Sequence, residues 1–324
     1  TDEHNAPQDG RFRQTLPENE SFVDVRVSIT PTYHGENMVM RLLSNHSEQF
    51  TLDSLGFSES DQEKILSALK RSNGMILATG PTGSGKTTTL YTLIKMLNKK
   101  DVSIVTIEDP IEYAVKGIKQ IQVNGQSGLT FANGLRSILR QDPNIIMVGE
   151  IRDGETAAIA VNTALTGHLL LSTLHTNDAA TTLPRLLDMK IEPYLVASTV
   201  SIAIGQRLLR KICIDCKQSF KATEALIKSL QHLSLKKPPK VGQTFYRGKG
   251  CEKCNDTGYL GRICANEVLV ADAEIKEAIL NKASAGDLKK IAIKNGMTSI
   301  LQDGFLKAES GATTLEEVLR VVYE

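Results

Sequence analysis

The sequence predicts an α/β protein whose parallel sheet carries a phosphate-binding loop, and three observations predict it. An apolar run, Met75-Ile76-Leu77-Ala78-Thr79, leads straight into Gly80-Pro81-Thr82-Gly83-Ser84-Gly85-Lys86-Thr87-Thr88. Beyond it, short apolar, β-branched runs alternate with helical patterns, as a parallel sheet with crossover helices requires. Further on, Cys213-Ile214-Asp215-Cys216 and Cys251-Glu252-Lys253-Cys254 set two Cys-x-x-Cys knuckles 34 residues apart.

In chain order, residues 1–20 are polar and proline-containing, with no strong period. Residues 22–29 alternate like a half-buried strand, 31–35 read as a turn and 36–43 as a second strand. A hairpin of this size is not a stable domain, so it reads as the remnant of a truncated N-terminal domain. Residues 58–70 have helical spacing at Ile65, Leu66 and Leu69, with Ser58 as N-cap and Asp61 in the first turn. After the loop come a helix to Leu97, a strand over 102–107, a helix over 131–140 and a buried strand over 145–148. A helix over 155–166, a strand over 169–174 and helices over 179–187 and 196–211 follow. From residue 263 the spacing turns helical again, over 274–283, 288–295, 299–308 and 315–322.

Composition bounds the partners. At 324 residues the chain suits about two domains, and 41% hydrophobic with 23% charged residues is ordinary for a soluble globular protein. A net charge of +1 gives no bulk attraction to nucleic acid or an anionic membrane. The longest apolar runs are too short to span a bilayer. No secretory signal appears and the chain begins at Thr1, which reads as a cytosolic piece of a longer protein.

The glycine-rich loop serves one physical task. Gly80, Gly83 and Gly85 let the backbone turn tightly and aim N–H groups at phosphate oxygens. Lys86 reaches the β- and γ-phosphates, the Thr87 hydroxyl ligates Mg²⁺, and the following helix adds the partial positive charge of its N-terminus. Pro81, Thr82, Ser84 and Thr88 complete the expected cradle for ATP or GTP.

Strand ends carry the remaining chemistry. Ile145-Ile146-Met147-Val148-Gly149-Glu150 ends an apolar run in a carboxylate, where phosphate-loop ATPases keep the acid that holds Mg²⁺ or orients water. A capping or surface acid is the bland alternative for Glu150. The segment 106–112 offers Glu108, Asp109 and Glu112; Glu108 suits polarisation of the attacking water, and the other two also suit a turn beside Pro110. His168 and His175 lie at the two ends of one strand, out of register for a metal. His175 suits a γ-phosphate sensor and, equally, a structural histidine.

Four thiolates spaced as two knuckles can hold a tetrahedral ion, with a small subdomain filling the long gap. Disulfides are the alternative, disfavoured in a reducing compartment, so structural Zn²⁺ on Cys213, Cys216, Cys251 and Cys254 is expected. Cys264 is left over and reads as a buried small hydrophobe.

The phosphate loop, the 106–112 acid box, Val148-Gly149-Glu150-Ile151-Arg152-Asp153 and residues 165–178 occur in the order seen in one family. From Asp24 onward the chain resembles the GspE/PilB group of secretion ATPases, the motors of type II secretion and type IV pilus assembly. The resemblance implies a RecA-like phosphate-loop ATPase core (47–211) and a partial, PAS-like N-terminal domain (1–46). It also implies a tetracysteine zinc subdomain (212–262) and a C-terminal helical domain (263–324). Mg²⁺-dependent ATP hydrolysis by a homo-hexamer follows, with catalytic roles for Lys86, Glu108, Glu150 and His175. Family arginines from the N-terminal domain approach a neighbour's phosphates, and Arg26 and Arg41 match them. Arg136, Arg140, Arg152 and Arg185 match further interface positions, though each also suits a surface salt bridge.

Implied partners are further copies and inner-membrane platform proteins, with peripheral membrane association through them and no direct nucleic acid. The tetracysteine insertion separates the chain from pilus retraction motors, which lack it. Two features depart from the family. Most of its N-terminal region is absent, and Gly261-Arg262-Ile263-Cys264 stands where the family reads Gly-Arg-x-Gly, which puts a local turn in question. Other readings are a DNA-uptake pilus ATPase, a nucleic-acid-stimulated motor and a non-catalytic nucleotide-binding scaffold. Knuckles without interleaved aromatics and a balanced charge weigh against nucleic acid.

Overall fold

The computed structural model describes residues 3–15, 22–44, 50–231, 233 and 235–323. The chain divides into two compact units, one of residues 1–50 with 111–114 and one of 51–110 with 115–324.

In the smaller unit β1 (Gln8–Thr15), β2 (Phe22–Thr32) and β3 (Gly35–Ser44) form one antiparallel sheet in that order. β2 and β3 are the expected hairpin, reversed at Tyr33-His34. β1 lies outside the sequence expectation for a physical reason: it is exposed along almost its whole length, so no apolar alternation marks it. Directly opposed residues share a face. Arg11 stands opposite Arg26, and Arg26 opposite Arg41, which makes one face basic. The other face shows Phe12, Met38, Met40 and Leu42 to solvent.

The larger unit opens with α1 (Glu59–Leu69), capped as expected by Ser58, whose Oγ accepts from Asp61 N. Then come β4 (Gly74–Thr79), α2 (Lys86–Leu97), β5 (Ile104–Glu108), β6 (Lys119–Gln122), α3 (Phe131–Ile138) and β7 (Ile145–Val148). α4 (Gly154–Leu165), β8 (Leu169–Leu174), α5 (Ala179–Asp188), α6 (Pro193–Thr199) and β9 (Val200–Ile212) continue the alternation. β10 (Lys217–Lys221), α7 (Glu224–Leu230) and β11 (Thr244–Gly248) fill the gap between the knuckles. β12 (Tyr259–Val270) precedes α8 (Ala273–Leu280), α9 (Ala285–Lys294), α10 (Ile300–Glu309) and α11 (Leu315–Tyr323).

The main sheet runs β12-β9-β4-β8-β7-β5-β6, parallel throughout except where β12 meets β9. β4, β5, β7 and β8 are buried at every residue, which is why they read as largely apolar runs without alternation. One expectation is overturned: residues 196–211 are not a single helix. α6 stops at Thr199 and the chain continues as a 13-residue strand. Central strands covered on both faces lose their period of two, so apolar spacing cannot separate them from a buried helix. The β-branched Val200, Ile202 and Ile204 and the helix-weakening Gly205 were the signal for a strand.

β12 likewise passes straight through 261–264, with a register irregularity between Tyr259 and Arg262 in place of a turn. A second core joins the knuckle insertion to the C-terminal helices. Phe245 of β11 meets Phe305 of α10 edge-on at 5.8 Å between centroids, with Leu209, Ala265, Leu315 and Val318 in the same cluster. Among the described residues no helix is long and apolar enough to cross a membrane.

Candidate functional site

Parallel sheets gather ligand-binding groups at the carboxyl ends of their strands. The phosphate loop leaves β4 there. Gly80, Gly83 and Gly85 have φ of 142°, 79° and 95°, which L side chains rarely adopt. Space is short as well at Gly80, where a Cβ would lie 2.5 Å from Gln206 O and 2.6 Å from Ser84 Oγ. Nothing lies within 4 Å of a Cβ on Gly83, on the exposed rim with Pro81 and Thr82. Gly85 caps α2, so the first N–H groups of that helix face the loop. Lys86 curls back over it, its Nζ donating to Gly80 O at 2.8 Å and Pro81 O at 3.0 Å. Burial lowers the Lys86 pKa; Glu150 partly offsets this and Arg207 adds to it. Ser84 Oγ is buried with no hydrogen-bond partner among the described residues. A glycine-only cradle, a helix start, a buried ammonium and an orphaned hydroxyl fit a polyphosphate, and Thr87 on the first turn of α2 is the hydroxyl that would hold Mg²⁺.

Glu150 lies two residues past β7 and is 9% exposed. Its Oε1 is 2.5 Å from Arg152 Nη2 and its Oε2 is 3.0 Å from Nε2 of His175, just past β8. The hydrogen bond that Arg152 donates to Glu150 outweighs burial and sets the Arg152 pKa above its ordinary value. Glu150 and His175, expected at separate strand ends, therefore meet. His168 does not join them: it sits at the other end of β8, its Nδ1 3.2 Å from Thr163 O. Thr79 Oγ1 donates to Leu174 O at 3.1 Å and Thr176 O at 3.0 Å, fastening the His175 segment to the strand that feeds the phosphate loop.

Glu108 ends β5 and is buried in a cage of donors: Tyr91 Oη, Thr106 Oγ1 at 2.5 Å and Gln120 Nε2 at 3.2 Å. Tyr91 belongs to α2, so this carboxylate is tied to the phosphate-loop helix. Of this cage the sequence exposes only Thr106, two residues before Glu108 on one strand face. Gln120 becomes visible through the register, being paired with Thr106, and Tyr91 carries no motif. Asp109 lies near enough to Arg152 to influence it, and Glu112 falls in the smaller unit.

Arg26 and Arg41 are exposed on the basic face of the smaller unit. In the core, Arg136 pairs with Glu155 at 2.8 Å, Arg140 donates to Ser137 Oγ at 3.1 Å and Arg185 is exposed.

A further buried group has no sequence signal. Glu267 of β12 accepts from Ala179 N at 2.8 Å and Ile300 N at 3.2 Å, the first helical N–H groups of α5 and α10. Gly205 makes room for it, since a Cβ there would lie 2.8 Å from Glu267 Cγ. Beside it Asp178 caps α5 and pairs with Lys289 of α9 at 2.8 Å.

The four knuckle thiols lie within 4.8 Å of one another, and none of them is in a disulfide. Sγ separations are 3.8 Å for Cys213–Cys251, 3.9 Å for Cys216–Cys254 and 3.7 Å for Cys251–Cys254. A tetrahedron of Zn–S bonds of about 2.3 Å has edges of about 3.8 Å. Backbone N–H groups of Cys251 and Gly258 also point at Cys254 Sγ, at 3.2 and 3.3 Å. The donor set fits Zn²⁺. Cys264 is buried, as expected, and burial pushes its thiol up to about 11. It lies under the phosphate loop, its Sγ 3.7 Å from Ser84 O.

A mostly parallel α/β sheet with a phosphate loop after one strand and carboxylates at the ends of two others defines the phosphate-loop ATPase fold. More narrowly, the chain belongs to the family described as "Type II/IV secretion system protein", whose profile matches residues 1–320. It is 47% identical over 319 residues to a type II secretion system protein E of Xanthomonas campestris, covering 98% of this chain and 55% of that protein. It is also 47% identical over 317 residues to the type IV pilus assembly ATPase PilB of Thermus thermophilus, covering 98% of this chain and 35% of that one. The type II secretion system ATPase E of Vibrio cholerae is 47% identical over 322 residues, 99% of this chain and 62% of its own length. The chain thus spans about a third to two-thirds of the curated relatives it matches. Among solved structures, the pilus retraction motor PilT with bound ADP superposes with a TM-score of 0.67 at 28% identity, over 98% of this chain and 77% of that one. The Legionella pneumophila ATPase DotB, 22% identical, shares the fold at a TM-score of 0.67 over 97% of this chain and 77% of its own.

Proposed function

We propose that this chain is the ATP-hydrolysing part of a motor for type II secretion or type IV pilus assembly. The observation that supports the reading is a phosphate loop whose glycine conformations and buried Lys86 suit a polyphosphate, beside strand-end carboxylates of which Glu150 bonds His175 and Glu108 bonds Tyr91 of the loop's helix. Relatives that cover nearly the whole chain and are named as secretion and pilus-assembly ATPases support it.

In this mechanism Lys86 exchanges its two carbonyl contacts for the β- and γ-phosphates of ATP. Thr87 and Glu150 are the groups that would hold Mg²⁺, which would supply charge neutralisation to the phosphates. Glu108, fixed by three donors, orients and polarises the attacking water. His175, bonded to Glu150, changes partner as the γ-phosphate departs. Arg26 and Arg41 deliver positive charge to the site of a neighbouring subunit in a homo-hexamer, which stabilises the transition state. Loss of that clamp after hydrolysis becomes domain motion, passed to an inner-membrane platform at which the motor is a peripheral, cytoplasmic component. Zn²⁺ on Cys213, Cys216, Cys251 and Cys254 would tie the two ends of the insertion to each other and take no part in chemistry.

The experiment is Mg²⁺-dependent phosphate release by the purified chain beside its Lys86→Ala variant, each with and without DNA. Turnover that Lys86→Ala abolishes and DNA leaves unchanged supports the motor reading. DNA-stimulated turnover moves the assignment to a nucleic-acid motor, and turnover unaffected by Lys86→Ala overturns the site.

A further inference from the structure

The sheet edge holds a second half-buried cation that no motif explains. Arg207 lies two residues past Gly205 in β9, and Gly205 is paired with Thr79, the last residue of β4. The two strands are parallel and advance together, so Arg207 stands level with the start of the phosphate loop. The approach is direct. A Cβ on Gly80 would lie 2.5 Å from Gln206 O, and Arg207 Nη1 donates to that same oxygen at 3.2 Å.

Among the described residues Arg207 forms no ion pair. Both nearby acids are engaged elsewhere: Asp178 with Lys289 at 2.8 Å, Glu267 with the N–H groups of Ala179 and Ile300. Burial lowers the Arg207 pKa, with Glu267 and Asp178 opposing. Lys86 and Arg207 thus sit close enough in a desolvated corner to repel each other. An anion between them would relieve that repulsion, and a guanidinium is the cation best shaped for phosphate.

Position along the sheet says which phosphate. β8 and β9 flank β4 on opposite sides. Glu150 and His175, the groups assigned to the γ-phosphate, lie on the β8 and β7 side; Arg207 lies on the β9 side. We propose that Arg207 binds the α- or β-phosphate of the nucleotide held by its own chain, gripping ATP and ADP alike. This rests on the nucleotide-binding reading above. It differs from the role of Arg26 and Arg41, which would act on a neighbour's γ-phosphate and matter for turnover.

The test is calorimetric titration of the whole chain with MgADP and with a non-hydrolysable MgATP analogue, at low and high salt. The parent is compared with Arg207→Gln, Arg207→Lys and Lys86→Ala. Arg207→Gln removes the charge and keeps a polar, shorter amide side chain. It is expected to weaken both nucleotides by about tenfold or more, with a shallower salt dependence, and Arg207→Lys to recover part of the loss. ADP affinity within twofold of the parent overturns the proposal. So does a loss with unchanged salt dependence, which would make Arg207 only a prop for the loop. Should the parent bind neither nucleotide, or Lys86→Ala bind as the parent does, the nucleotide-binding reading falls with it; a nucleotide-binding parent beside a neutral Arg207→Gln overturns the Arg207 proposal alone.

Discussion

Replacing Glu317 by Gln tests how the last helix is fastened to the sheet that carries Arg207 and the phosphate loop. The Glu317 carboxylate is buried on α11 and accepts from Arg210 N, Nε and Nη2 at 3.0, 3.0 and 2.7 Å. Arg320 adds Nε at 3.0 Å and Nη2 at 2.8 Å. Burial alone would raise the pKa, but the bonds from Arg320 and Arg210 bring it from 4.5 down to about 2. A carboxyl lowered from 4.5 to about 2 gains roughly 3 kcal/mol at full value. Both guanidinium groups are nearly half exposed, at 49% and 44%, so solvent screening leaves about 2 kcal/mol.

The sign follows from the direction of the shift. A carboxyl whose folded pKa is depressed contributes stability above its unfolded pKa and loses it as pH falls through the folded one. Urea unfolding followed by circular dichroism should therefore show Glu317→Gln less stable than the parent by about 2 kcal/mol near pH 7. The gap should shrink between about pH 4.5 and pH 2. A gap that stays constant down to the acid end, or is already below about 0.5 kcal/mol at neutral pH, refutes the reasoning.

Tyr91→Phe removes one donor from the buried Glu108 and should cost about 1–2 kcal/mol in a denaturant melt. ATP turnover should fall about tenfold with nucleotide affinity unchanged, because only the orientation of the carboxylate is loosened. Gly205→Ala places a methyl 2.8 Å from Glu267 Cγ and 3.0 Å from Ala179 N, so a loss of about 1–3 kcal/mol is expected. Gly286→Ala, where the nearest atom to the new methyl is Ser284 Oγ at 3.7 Å, should leave the melting temperature nearly unchanged. A strong chelator should release one zinc per chain, measured with a metal-sensitive dye, and open residues 213–254 to protease. Recovery of disulfide-bonded knuckles without zinc would contradict that site.

Much of this architecture is written locally. The phosphate loop, Glu150 after an unbroken apolar strand and the paired knuckles announce themselves because each is a short segment whose spacing serves one chemical task. Ser58 announces α1 in the same way, as a side-chain oxygen placed to accept from Asp61 N. Other features are properties of register. Gln120 reaches Glu108 because β6 pairs with β5, and Arg11 joins Arg26 and Arg41 because β1 pairs with β2. No periodicity in one segment carries that information. β9 reads as a helix because burial on both faces erases its alternation. With that misreading go Gly205, Arg207 and the Glu267 contact, whose meaning depends on the strand. β1 is hidden for the opposite reason, being so exposed that it needs no apolar pattern.

The central claim is that Glu150 and its neighbours act on a nucleotide that the phosphate loop holds. The most direct measurement is a pair of readings on Glu150→Gln: affinity for a MgATP analogue and the rate of ATP hydrolysis. Affinity close to the parent's with turnover reduced about a hundredfold or more is the expected result. Hydrolysis at the parent's rate would contradict it, and would leave the strand-end carboxylate no role beyond its pairing with Arg152 and His175.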